Sequence, residues 1–174
     1  MAANAPDPVS PGSSFFESLI TLQKAASIFS RDSYSGHFPP NLTALGAIVA
    51  HLKSCSDAFD AAVVQLAPIP QLSPSDAAVL NDTNILFSPP AILGTLNNLQ
   101  VGEPFFEGVN NDPVLLPAFC NSVRDLSHQT DAFYGKLSLI APSADYAAFW
   151  SQVQKNAAVQ YHILLAEDGF SCGG

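Results

Sequence analysis

His51 and Cys55 stand four residues apart, a spacing that sets two side chains next to each other on a helix. An imidazolium beside a thiol lowers the thiol pKa and produces a nucleophilic thiolate. The plainer reading makes Cys55 and Cys120 small apolar core residues, bridged to each other or free, since both fall on apolar stripes. No His/Cys spacing matches a zinc signature, so neither a metal nor a cofactor is expected. His128 lies among Arg124, Asp125 and Asp131, where a histidine beside carboxylates can act as a general base. Such a group also describes an ordinary solvated, ion-paired helix face. His162 follows Tyr161 and can reach a pocket mouth. No P-loop, dinucleotide fingerprint, Gly-x-Ser-x-Gly or paired-carboxylate arrangement occurs. No catalytic residue is assigned, and an enzyme is not the leading expectation.

Aromatic side chains are the other resource. There are 12 phenylalanines; Phe16, Phe29, Phe59, Phe119, Phe133 and Phe149, with Tyr134, Trp150 and Tyr161, fall on inner stripes. A bundle must bury such stripes in any case. The same residues can instead wall a cavity for an apolar guest, because ligand sites are mostly apolar with a few placed polar groups. The candidate ligand-binding set is Leu52, Phe59, Phe119, Val123, Thr130, Phe133, Tyr134, Trp150 and Tyr161. A buried ligand carboxylate needs a partner. Lys24, Arg31, Lys53, Arg124, Lys136 and Lys155 can offer charge; Gln129, Thr130, Tyr134 and Tyr161 can offer hydrogen bonds.

Composition narrows the function classes. The 174 residues amount to one domain. Hydrophobic residues make up 48% and charged residues 12%, so apolar surface must be placed in a cavity, a partner or an interface. Lys plus Arg total 6 against 15 Asp plus Glu, a net charge of -9. That balance repels nucleic-acid phosphates and anionic membrane surfaces, so no nucleic-acid partner is expected. No apolar run is long enough to span a membrane. The opening residues have neither a basic nor an apolar region, so they do not read as a signal peptide. A secreted chain whose signal has been removed is the expectation; a cytoplasmic chain is the alternative. Asn41-Leu42-Thr43 and Asn81-Asp82-Thr83 are glycosylation sequons that matter only on the secretory route.

The elements that would position these side chains are helices. Leu42, Leu45, Ile48, Val49, Leu52, Cys55, Phe59, Val63 and Leu66 recur in steps of three and four. They predict a helix over 40–67, about 42 Å long. A second long helix follows Asp112-Pro113, an N-cap and a first-turn proline, and carries Leu115 through Ile140. Ser14-Phe15-Phe16-Glu17 reads as a capping box opening a helix to about Arg31, with Phe16, Leu19, Ile20, Gln23, Ala26 and Phe29 inward. Ser73-Pro74-Ser75-Asp76 opens another, with Ala77, Leu80 and Ile85 inward. Ser143 opens the last. Ser88-Pro89-Pro90 interrupts the run from 73 to 101, because residues before proline avoid the helical region. The fold expected is an all-α antiparallel bundle of five to six helices with a proline-broken central helix. A polar lead-in (1–13) precedes one domain (14–168), and a short tail (169–174) follows.

Three stretches carry a resemblance. Leu72-Ser73-Pro74-Ser75-Asp76-Ala77 resembles the start of the central helix in the fungal hydrophobic surface binding protein A family, which includes cell-wall galactomannoproteins. Glu103-Pro104-Phe105-Phe106 is similar to that family's Lys-Pro-x-Phe segment, and Leu126 through Leu137 to its Leu-x-x-x-Thr-Asp-x-Phe-x-x-x-Leu stretch. Tyr34-Ser35-Gly36 sits where the family turns after its first helix. The resemblance implies a small secreted helical bundle that holds a lipid or fatty acid in an apolar tunnel, or that adheres to hydrophobic surfaces. The expectation is therefore a protein binding an apolar small molecule, lipid or fatty acid, in a cavity between helices. A surface-active adhesion protein that coats hydrophobic surfaces is one alternative. A cyclase or isomerase folding a hydrophobic intermediate in the same cavity is the other.

Overall fold

Four helices of the chain begin on a side chain that stands in for a missing backbone partner. At the first, Ser13 Oγ accepts from the Phe16 N–H at 3.5 Å, one residue earlier than the sequence suggests. Ser14 is freed to donate to Gln65 Oε1 at 2.6 Å. Ser73 and Asp76 form a reciprocal capping box: Ser73 Oγ accepts from the Asp76 N–H at 3.1 Å, and Asp76 Oδ2 accepts from the Ser73 N–H at 3.4 Å. Asp112 Oδ1 accepts from the N–H groups of Val114 and Leu115, both at 2.8 Å. Ser143 Oγ accepts from the Tyr146 N–H at 3.4 Å.

The computed structural model describes residues 13–34, 42–82, 88–101, 103–166, 170 and 172. Among the described residues the chain is all-helical, with α1 (Ser14–Tyr34), α2 (Leu42–Leu66), α3 (Pro74–Asp82), α4 (Ser88–Val101), α5 (Glu103–Asn110), α6 (Leu115–Leu139) and α7 (Ala144–Leu165). The stretch after Ser73 divides into α3 and α4, as the proline break predicts, and residues 103–110 add a helix of their own, making seven where five or six are expected. Ser88-Pro89-Pro90 does not leave the helical region. It begins α4, where first-turn prolines cost nothing because their missing N–H groups would have no helical partner. Ile85, Ser35, Gly36 and the sequon positions Asn41 and Thr83 lie outside the described residues, as do residues 1–12 of the lead-in.

Packing closes a ring. α1 lies on α2, α2 on α6, α6 on α7, α7 on α4, and α4 back on α1. The four-residue link between α6 and α7 enforces an antiparallel pair. α5 sits across one end, against α2, α4 and α6. The interior is filled by Leu45, Leu52, Phe59, Leu96, Val123, Phe133, Trp150, Tyr161 and their neighbours. Three inward assignments change. On α2, Leu42, at the start of the apolar stripe, is 61% exposed. On α1, Leu22 is buried while Ile20 is 42% exposed. On α7, Trp150 is buried while Phe149 is 47% exposed. Neighbours on a helix point about 100° apart, and here Trp150 takes the inward side.

Beyond α7 the chain returns to α6. Cys120 is bonded to Cys172, with Cα atoms 5.5 Å apart, and Arg124 donates to the Cys172 carbonyl oxygen. Cys55 is free and buried, so the Cys55–Cys120 bridge entertained from the sequence does not form. Phe170 is fully buried, its ring 4.3 Å from Phe119, 5.2 Å from Phe106 and 6.0 Å from Phe105. No described helix is long and apolar enough to cross a membrane.

Candidate functional site

The nine candidate ligand-binding residues all fall in the interior, none more than 1% exposed. Phe59 meets Phe133 edge-on at 5.3 Å, and Phe133 meets Tyr134 at the same distance. Thr130 Oγ1 donates to the Leu126 carbonyl at 2.7 Å and lies 3.3 Å from Tyr161 Oη. These hydroxyls make one polar spot where α2, α6 and α7 meet. Burial pushes the Tyr134 phenol pKa up, with the neighbouring Tyr161 adding to the effect. Burial also pushes up Tyr161, opposed by its hydrogen bond to Thr130. Both phenols therefore stay protonated. Phe119 belongs to a separate group, with Phe105, Phe106 and Phe170.

The reactive groupings read from the sequence do not assemble. Burial pushes the Cys55 thiol up to about 12, so it carries no thiolate at neutral pH. His51 Nδ1 faces Asp32 Oδ2 on α1 at 3.3 Å. His128 and His162 are exposed. Of the groups around His128, Arg124 turns to the Cys172 carbonyl, and Asp131 accepts from Gln154 Nε2 on α7 at 2.7 Å. Among the described residues no three His, Cys, Asp or Glu side chains gather as a metal site would require. No Lys or Arg is buried among them either.

Open space lies at the seam where α7 meets α4. A groove of about 280 Å³ is lined by Pro90 and Leu93 from α4 and by Val153, Asn156, Ala157 and Gln160 from α7. Its floor is apolar and its rim carries amides. Asn97 Nδ2 donates to Gln160 Oε1 at 3.2 Å, pinning the helices together at one end. Gln152 Nε2 donates to Asn156 Oδ1 at 2.8 Å along the outer edge. Ala157 creates the room, because the other inward positions of α7 carry Trp150, Tyr161 and Leu164. Trp150 occupies the same face, three residues before Val153 and seven before Ala157. Its indole Nε1–H is buried without a hydrogen-bond partner. Such a group ordinarily costs about 1–3 kcal/mol.

None of the nine residues drawn from the sequence lines the groove; Trp150 and Tyr161 stand before and after it on the inward side of α7. The six lining residues were missed. The available signal was a small residue, Ala157, in an otherwise bulky stripe, with Asn156 and Gln160 beside it. That signal gains meaning only once α4 is known to lie opposite.

Two solved structures share this architecture. Ligand binding domain 2 of the Penicillium marneffei MP1 protein, in complex with arachidonic acids, superposes with a TM-score of 0.72 at 17% identity, covering 94% of this chain and 99% of that one. Ligand binding domain 1 of the same protein, complexed with arachidonic acids, gives a TM-score of 0.68 at 16% identity, covering 87% and 93%. At that identity the likeness establishes the fold. No family model and no curated protein sequence matches the chain.

Proposed function

We propose that the chain binds an apolar acyl chain of fatty-acid type, with the α4–α7 groove as its seat. The observation that carries this reading is an apolar groove at a seam of the helical ring, in a fold shared with domains solved around arachidonic acid. At about 280 Å³ the groove lies just below the usual range of ligand pockets, and its largely apolar lining suits a hydrocarbon. Affinity would come from burying apolar ligand surface, at about 25 cal/mol per Å². The Cys120–Cys172 disulfide supports a further part of the proposal, that the chain works in an oxidising, extracytosolic compartment.

The test is titration with oleate, followed by native mass spectrometry. One oleate per chain is expected. Ala157→Phe fills the groove and is expected to weaken binding at least tenfold with the fold intact by circular dichroism. Wild-type protein that takes up no oleate sinks the reading.

A further inference from the structure

An acyl chain lying in the groove must point its carboxyl end somewhere, and the two ends of the groove differ. One end is closed by the Asn97–Gln160 amide pair, joined to each other and part-exposed, so that their remaining N–H groups are open to water. Beyond the other end, one turn before Val153 on α7 and outside the lining itself, lies Trp150, 0% exposed, whose Nε1–H has no partner. Indole N–H is a donor only, so an acceptor alone can satisfy it. No buried Lys or Arg is present among the described residues to attract a carboxylate instead. The hydroxyl cluster at Thr130 and Tyr161 is already joined internally. The other buried polar atoms without a hydrogen bond lie on different helices: Ser33 Oγ on α1, His51 Nδ1 on α2, which faces Asp32, and Asn110 Oδ1 on α5.

We propose that the Trp150 indole N–H is the donor that anchors a carboxyl oxygen of a bound monocarboxylic acid. The hydrocarbon then runs along Val153 and Ala157, beneath Leu93 and Pro90, toward the Asn97–Gln160 pair. This rests on the acyl-binding reading and adds its polarity and its recognition group. The indole is a neutral donor, so it selects for an acceptor at the ligand's head without demanding a buried ion pair.

Trp150 is the single tryptophan of the chain, so its indole N–H gives one cross-peak in a ¹⁵N-correlated NMR spectrum. Adding oleate to one equivalent is expected to move that proton clearly downfield, as hydrogen-bond formation does. Trp150→Phe removes the donor and is expected to weaken oleate about tenfold, or about 1.4 kcal/mol. Replacing Trp150 with β-(3-benzothienyl)alanine removes the N–H with little change in shape, and gives the same loss if Trp150→Phe fails to fold. Oleate that binds by mass spectrometry while the indole peak stays put overturns the anchor and leaves acyl binding standing. So does a benzothienyl variant with unchanged affinity. A wild-type chain that binds no oleate removes both proposals together.

Discussion

Cys55 shows how position decides chemistry. A helix neighbour four residues away would make it a nucleophile if His51 turned toward it, but His51 faces Asp32, and the thiol sits fully buried. Desolvation raises its pKa from 9.0 to about 12. Iodoacetamide at pH 8 is expected to leave Cys55 unmodified in the folded chain and to label it once urea unfolds the protein, as read by intact mass. The same shift has a thermodynamic sign. The folded state holds the proton more tightly than the unfolded state, so stability is fully present below about pH 9 and is lost as pH rises toward 12. The raised Tyr134 and Tyr161 phenols act in the same direction. Urea midpoints are expected to be level from pH 7 to 9 and to fall at pH 10 and 11. Midpoints that rise there contradict the assignment.

The helices are set by their starts. The Ser73–Asp76 box is the most demanding, because both side chains are almost fully buried and Asp76 Oδ2 accepts from Ser73 Oγ at 2.7 Å as well. Ser73→Ala is expected to cost about 1 kcal/mol, within the usual range for a lost N-cap. Asp76→Ala is expected to cost more, since it leaves the buried Ser73 N–H without its acceptor and removes one of the two hydroxyl partners of Ser73. Urea denaturation of the two variants measures both. These devices were legible in the sequence because they act over three or four residues. The exception is instructive. Ser88-Pro89-Pro90 looked like an interruption of one helix and is the beginning of another, since proline harms a helix interior but not a first turn. Local chemistry marked the division between two helical pieces; what differs is that Ser88 and the two prolines belong to the second piece itself.

For the whole molecule, the segment beyond α7 is tied covalently to α6. The Cys120–Cys172 bond joins residues 52 apart in sequence, and it holds Phe170 among Phe105, Phe106 and Phe119. Cys172→Ser is expected to lower stability by about 2–4 kcal/mol and to raise binding of a hydrophobic dye as the aromatic group opens. Urea curves with and without reductant should coincide for the variant and separate for the parent chain.

Helix periodicity, capping residues and the inward placement of Leu52, Phe59, Val123 and Phe133 follow from the sequence alone, because backbone hydrogen bonds and stripe spacing reach only to the next turn. The choice of Trp150 over Phe149, the pairing of Cys120 with Cys172 rather than Cys55, and the groove between Leu93 and Ala157 do not. Each depends on which helix comes to lie opposite, a contact between positions about fifty or more residues apart or on separate helices. That arrangement is decided by all the helices packing at once, and no short stretch of the chain encodes it.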